Sequence, residues 1–433
     1  CKGRKIFSIH IRHYIVYDTR MQSVAGERIL KVMPSFPYPE LGAEQIDRAN
    51  GIRQTVRLGY EVSVIAKVTE WANQQVLREK AREWGVTKLL LVPYKYSNRS
   101  LTTADKIKKF FGKFCNPLYL DGAAYEFVEP EICKVLKREL AEFRPGVVWF
   151  DYTYLWPLYR LVRRAGVPII TQSNNFEPVH FLDEDGWTLI NYLKFIPKFF
   201  GEWYGVLVSD IVLAVTPKET EIYKKLGAQY AANLPTRGLP RFVEMPRHSL
   251  RERTPLHVFF MGASYKVEHN KAAARQAIAE IAPEVQNRAP GAFIFHILGG
   301  KLPEDLQNLC DGKLVVHEGY VTDLDTFLQN MDIALIPSLM GAGMQQKVFE
   351  PLARGIPTIT SPRAIAGYPF EAGTHYLAAR TSDEFVSALL RARDLQARTE
   401  LAGAASALSA ELFSQKQLDD IVLRALNKVC KKK

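Results

Sequence analysis

The chain lacks most of the features that would place it at a glance. No apolar run reaches the roughly 18 residues that a bilayer-crossing helix needs, so no membrane span is expected. Its cysteines (Cys1, Cys115, Cys133, Cys310 and Cys430) are odd in number, scattered and without a CxxC pair. That speaks against a metal ribbon or a disulfide framework and favours a reduced, cytoplasmic compartment. No GxGxxG follows a first strand in either half, which disfavours a dehydrogenase-type dinucleotide site. No internal repeat and no low-complexity segment occurs apart from a lysine tail. A signal peptide is not expected, because the apolar stretch near the start is interrupted by His10, Arg12 and His13.

Charge of one sign is also scarcer than the net value of +11 suggests. Lys2, Arg4, Lys5, Arg12 and Arg20 stand against Asp18 alone in residues 1–20, and Lys428, Lys431, Lys432 and Lys433 close the chain. The remainder is barely basic and carries no recognition motif, so nucleic-acid binding is not expected. Residues 1–20 read as an extension outside the fold. The 433 residues suffice for two cores of ordinary size.

Strands and helices alternate in both halves, which predicts two doubly wound parallel sheets, an α/β architecture. In the first half the spacing predicts strands at 29–34, 59–66, 89–92, 147–150, 168–171 and 211–215, with helices at 43–57, 155–164 and 218–226. Two prolines and a glycine in 234–240 mark a linker running to about Thr254. Beyond it come strands 257–261, 293–298, 314–318, 333–337 and 357–360, helices 271–281 and 344–354, and a last helix at 415–427. The domains so defined are 21–240 and 255–410, with 411–433 as a terminal helix and tail.

The most informative stretch is Gly341-x-Gly343-x3-Lys347-Val348-x-Glu350, followed by Gly355-Ile356-Pro357 and a small-residue strand. Free backbone N–H groups and the dipole at a helix start after a strand and a glycine turn make an anion cradle. Lys347 adds charge, and Glu350, three residues on and so on the same face, can accept from sugar hydroxyls. Pro351 inside the helix removes one N–H and costs about 3 kcal/mol, so the helix is expected to bend there or to start late.

This pattern resembles the nucleotide-binding half of GT-B glycosyltransferases, most closely glycosyltransferase family 4. The likeness is strong over residues 255–400, taking in Gly262, His269-Asn270, Gly299-Gly300, Gly319-Tyr320, Gly367 and Ala372-Gly373, and weaker before. It implies a GT-B fold of two Rossmann-like domains facing a cleft, and a terminal helix that crosses back to the first domain. The C-terminal domain would hold a nucleoside-diphosphate sugar and the N-terminal domain the acceptor, with retention of anomeric configuration. No cofactor and no catalytic metal are implied.

By the same resemblance, Glu350 binds the donor ribose, the alternative being a surface glutamate paired with Lys347. Lys347 contacts phosphate and helps to stabilise the leaving diphosphate. Gly262, Asn270, Gly341 and Gly343 join the donor site. The family's arginine after the glycine is replaced by Ala263, leaving Lys266 and Lys271 as substitute cations. The first glutamate of the family's Glu-x7-Glu pair is replaced by Ala342, which raises a catalytically inactive module as one alternative; a GT-B nucleotide-sugar epimerase is another. On the acceptor side, Gly42 and Glu44 occupy the place of the family's glycine loop, and Asn175 and Glu177 resemble its His-Asn-x-Glu segment. Asp151 ends a strand, as a site residue or as a helix N-cap. The acidic triplets at 183–185 and 323–325 spell DxD but arise easily by chance. Residues 106–114 and 192–200 mix lysine with aromatics and suit an anionic membrane surface, which favours, for the expected glycan or lipid-linked acceptor, a lipid-linked one handled at the inner face of the membrane. The alternative is packed helices with solvated lysines.

Overall fold

The computed structural model describes residues 28–95, 102–339 and 344–430. Strands rich in Val, Ile and Leu and buried on both faces are the mark of parallel sheets, and every strand pair here is parallel. The first sheet contains β1 (Arg28–Met33), β2 (Glu61–Val68), β3 (Lys88–Pro93), β4 (Val147–Asp151), β5 (Ile169–Ser173), β6 (Ile211–Ala214) and β7 (Ala231–Asn233). Its order is β3-β2-β1-β4-β5-β6-β7. The second contains β8 (Leu256–Ser264), β9 (Phe293–Gly300), β10 (Val315–Gly319), β11 (Ile333–Ile336), β12 (Thr358–Thr360) and β13 (Leu377–Ala378), in the order β10-β9-β8-β11-β12-β13. Two Rossmann-like domains of the expected class result.

Period-two alternation divides the first sheet's residues between two cores. Ile29 and Met33 of β1 join helices Ala43–Arg57 and Gln74–Glu83, while Leu30 and Val32 join helices Pro130–Glu142 and Tyr159–Arg164. Lys31, Trp149, Asp151 and Gln172 follow the same parity and point to the first of these faces. Helix Gln415–Cys430 closes that face: Leu418, Val422, Ala425, Leu426 and Val429 enter the same core. Its Asp419 accepts hydrogen bonds from Gln54 (2.9 Å) and Arg57 (2.7 Å).

Local differences from the predicted elements have local causes. Residues 155–164 are not one helix. Pro157 has no N–H to give, and a 3-10 turn, Thr153–Leu158, precedes the helix. The helix expected at 271–281 starts at Glu268 and passes through a π-helical turn, Gln276–Ile281. The short strand β7 is Ala-Ala-Asn, which carries no β signal. The linker holds a short helix, Pro240–Val243. Pro351 lies at the sixth position of helix Gln346–Arg354, inside it and not in its first turn.

Candidate functional site

A cleft of about 1370 Å³ opens between the domains, beyond the C-terminal ends of β8, β9 and β10, where open α/β sheets bind ligands. The C-terminal domain supplies most of its wall; Ala43, His180 and Asp183 come from the N-terminal domain. Two strand ends meet closely at its floor. A Cβ on Gly299, where φ is +126°, would lie 1.7 Å from the carbonyl oxygen of Gly262, so only glycine fits there.

Lys347 is the chemical centre of that wall. Its ammonium donates to Asn270 Oδ1 (2.9 Å) and Ser338 Oγ (2.8 Å), which uses two of its three protons. Asn270 in turn donates to the carbonyl of Ser264 (3.2 Å), which fixes its amide with the oxygen towards the lysine. Among the described residues no carboxylate pairs with Lys347, and burial alone pulls its pKa down to about 8. The helix it sits on begins at the cleft, so its first free backbone N–H groups lie on the same wall. Gln345 and Gln346, which line that start, carry side-chain amide atoms without a hydrogen-bond partner among the described residues.

Glu350 is buried and also lines the cleft, and it does not pair with Lys347. Its partner is Arg354, one turn on, at 2.8 Å, and Arg354 is shared with Asp325. Burial raises the Glu350 pKa despite Arg354. Gly355 ends the helix in the left-handed conformation at φ +73°, which lets the chain turn straight into β12.

The other sequence-derived candidates are placed as follows. Gly262 and Asn270 line the cleft. Gly341 and Gly343, like Ala342, lie outside the described residues. Lys266 and Lys271 are not among the lining residues; Lys271 points towards Glu268, 4.0 Å away. Arg363, which no motif marks, lines it instead. Gly42 precedes helix Ala43–Arg57 at φ +94°, and Glu44 pairs with Arg48. Asn175 offers its backbone oxygen to Ser173 Oγ (2.7 Å), and Glu177 opens helix Glu177–Asp185, which carries His180 and Asp183 to the cleft. Asp151 neither lines the cleft nor caps a helix. It is buried, with both carboxylate oxygens lacking a hydrogen-bond partner among the described residues, near Lys31 and Arg237. Arg354 was legible as the i+4 partner of Glu350, whereas His180 and Arg363 carry no motif that would have singled them out.

Residues 255–394 match the family profile described as Glycosyl transferases group 1. This is a GT-B fold whose C-terminal domain matches the group 1 glycosyltransferases. Solved structures align over nearly the whole chain. Sucrose-phosphate synthase from Thermosynechococcus elongatus covers 94% of this chain and 100% of its own, at 12% identity and a TM-score of 0.63. Anabaena HepE in complex with UDP covers 93% and 100%, at 12% identity and a TM-score of 0.59. A protein assigned as UDP-N-acetylglucosamine 2-epimerase from Listeria monocytogenes covers 94% and 98%, at 12% identity and a TM-score of 0.54. At such identities the GT-B likeness is one of fold. No curated protein sequence matches the chain. Among the described residues no helix is long and apolar enough to cross a membrane.

Proposed function

We propose that the protein is a glycosyltransferase that takes a sugar from a nucleoside-diphosphate donor held on the C-terminal wall of the cleft. It passes the sugar to a glycan or lipid-linked acceptor entering from the N-terminal side. The observation that carries this reading is Lys347, a half-buried cation on the cleft with no carboxylate paired to it among the described residues. Such a charge is costly unless an anion meets it. A diphosphate beside Lys347 and the helix N-terminus would supply that anion and restore the lysine's pKa. Glu350, oriented by Arg354, is in reach of the same cleft to accept from ribose hydroxyls, and Arg363 is the second cation on the wall.

Catalysis on this reading is positioning plus stabilisation of the departing diphosphate by Lys347 and the helix N-terminus, with retention of configuration. The uridine nucleotides are the first donors to test, because Anabaena HepE was crystallised with UDP. The test is thermal stabilisation against a panel of nucleoside diphosphates and nucleotide sugars, which scales as RT ln(1 + [L]/Kd). A shift with one nucleotide family that is lost in Lys347→Ala and Glu350→Ala is expected; no shift with any nucleotide would remove the donor site. The Listeria neighbour motivates a second reading, a nucleotide-sugar epimerase, for which conversion of the donor without any acceptor is the diagnostic. Nucleotide binding with no turnover of any kind would point to an inactive binding module, the reading that Ala342 raises.

A further inference from the structure

Large contiguous apolar patches on a protein surface mark interaction sites, and two helices of the N-terminal domain carry such faces. In helix Leu189–Val208 the side chains of Leu189, Leu193, Ile196, Phe200, Trp203 and Leu207 are all exposed. Their spacing of four, three, four, three and four draws one straight stripe about 30 Å long. The helix cannot roll to hide it, because the opposite side is committed. Gly201 and Gly205 sit against Trp156, and Glu202 is buried, accepting from Tyr223 Oη at 2.6 Å. Helix Thr103–Cys115 repeats the arrangement. Ile107, Phe110, Phe111 and Phe114 face outward, Phe114 at 79% exposure, while Gly112 is pressed on Tyr125. Both helices pack on the turn Pro117–Leu120, whose Leu120 is exposed as well.

The charge on these helices is predominantly positive, although Lys198 is already held by Asp121 at 3.0 Å. Helix Thr103–Cys115 carries Lys106, Lys108, Lys109 and Lys113 against Asp105; helix Leu189–Val208 carries Lys194 and Lys198, and its single carboxylate is the buried Glu202. Asp183, on the preceding helix, lies on the cleft. We infer that the two faces together form a docking surface for an anionic lipid bilayer, with helix Leu189–Val208 lying in the plane of the interface. A second copy of the chain suits the surface poorly. A two-fold contact places the patch on itself and brings lysine against lysine, whereas an anionic headgroup layer complements both the apolar stripe and the cations around it.

The position of the surface matters for the reaction. Helix Glu177–Asp185, which brings His180 and Asp183 to the cleft, runs through 186–188 directly into helix Leu189–Val208 and packs on it. The N-terminal wall of the cleft and the membrane face are therefore adjacent parts of one substructure. A lipid-linked acceptor would reach the cleft without leaving the bilayer, a consequence that rests on the reading of this wall as the acceptor side.

The experiment is co-sedimentation of the full chain with vesicles of phosphatidylcholine alone or mixed with phosphatidylglycerol. The variants are the doubles Phe111→Ser/Phe114→Ser and Leu193→Ser/Ile196→Ser, whose exposed positions leave the folded core intact, as thermal melting would verify. Wild type is expected to bind the anionic vesicles and to leave phosphatidylcholine largely unbound. Each double variant should lose about tenfold or more in partitioning, and Lys106→Gln or Lys108→Gln about fivefold each, with the loss mimicked by salt. Absence of wild-type binding, or variants that partition like wild type, would overturn the inference. So would a dimer in sedimentation velocity that the serine variants dissolve, which would assign the stripe to a second copy. Nucleotide-induced stabilisation of the same samples reports on the donor site independently, so failure of the membrane surface and failure of the glycosyltransferase reading are told apart.

Discussion

Lys31 is fully buried and Lys347 half-buried; burial pulls the pKa of each down to about 8, and their surroundings differ. Lys31 points from the middle of β1 into the sealed core of the N-terminal domain. It lies 4.1 Å from the ring of Trp149, under the influence of Asp151, Asp47 and Arg237. Arg237 itself bonds Asp47 through Nη2 (2.6 Å) and ties the interdomain linker to helix Ala43–Arg57. Lys347 opens on a cleft and, among the described residues, has only neutral partners. A perturbed lysine is thus a marker of desolvation; the cleft, and the lack of a paired carboxylate among the described residues, are what single out Lys347 as the cation to test for ligand binding.

The contrast breaks most visibly in stability. Lys31→Ala takes a countercharge from a sealed acidic group and leaves a cavity, so unfolding free energy from urea titration should fall by about 3 kcal/mol or more. Nucleotide affinity of the folded protein should be unchanged. Lys347→Met should do the reverse. It removes an uncompensated charge and should leave stability unchanged or raised, while nucleoside-diphosphate affinity drops on the order of a hundredfold, about 2.7 kcal/mol. Glu350→Gln, which keeps shape but weakens acceptance from the ribose hydroxyls, should cost about tenfold. Lys266→Ala and Lys271→Ala, both away from the cleft lining, should change affinity by less than about twofold.

The pH dependence separates the two lysines further. For each, the folded pKa lies below the unfolded one. Between about 8 and the ordinary lysine value of 10.5 the unfolded chain therefore holds more protons, and stability gains as pH rises through that window. Donor affinity runs the other way. It should fall as pH climbs past about 8 and Lys347 loses its proton, and that slope should vanish in Lys347→Met but persist in Lys31→Met.

The C-terminal wall of the cleft was readable because its parts are contiguous. Strand, turn, lysine, glutamate and Gly-x-Pro lie within one stretch, and Lys347, Glu350, Gly262 and Asn270 all line the cleft. The parallel sheets were readable because buried parallel strands announce themselves as apolar runs. The N-terminal wall was not. His180 reaches the cleft without a motif, Asp183 comes from the DxD triplet at 183–185 that chance explains as well, and Asp151, at a strand end where a ligand group is expected, is instead buried near Lys31 and Arg237. Arg363 lies in the turn directly after β12, whose course sequence alone does not set. The lysine–aromatic stretch at 192–200 was visible as a pattern, but which of its faces meets solvent depends on the glycines that fasten the other face to Trp156.

The most direct measurement is calorimetric titration of UDP into wild type and Lys347→Met at pH near 7 and near 9, on either side of the lysine's lowered pKa. Wild type should bind, and bind more weakly at the higher pH, while the variant binds weakly and equally at both. No heat from wild type with UDP or any other nucleoside diphosphate, or equal affinity in the variant, would contradict the assignment of Lys347 as the diphosphate-binding cation.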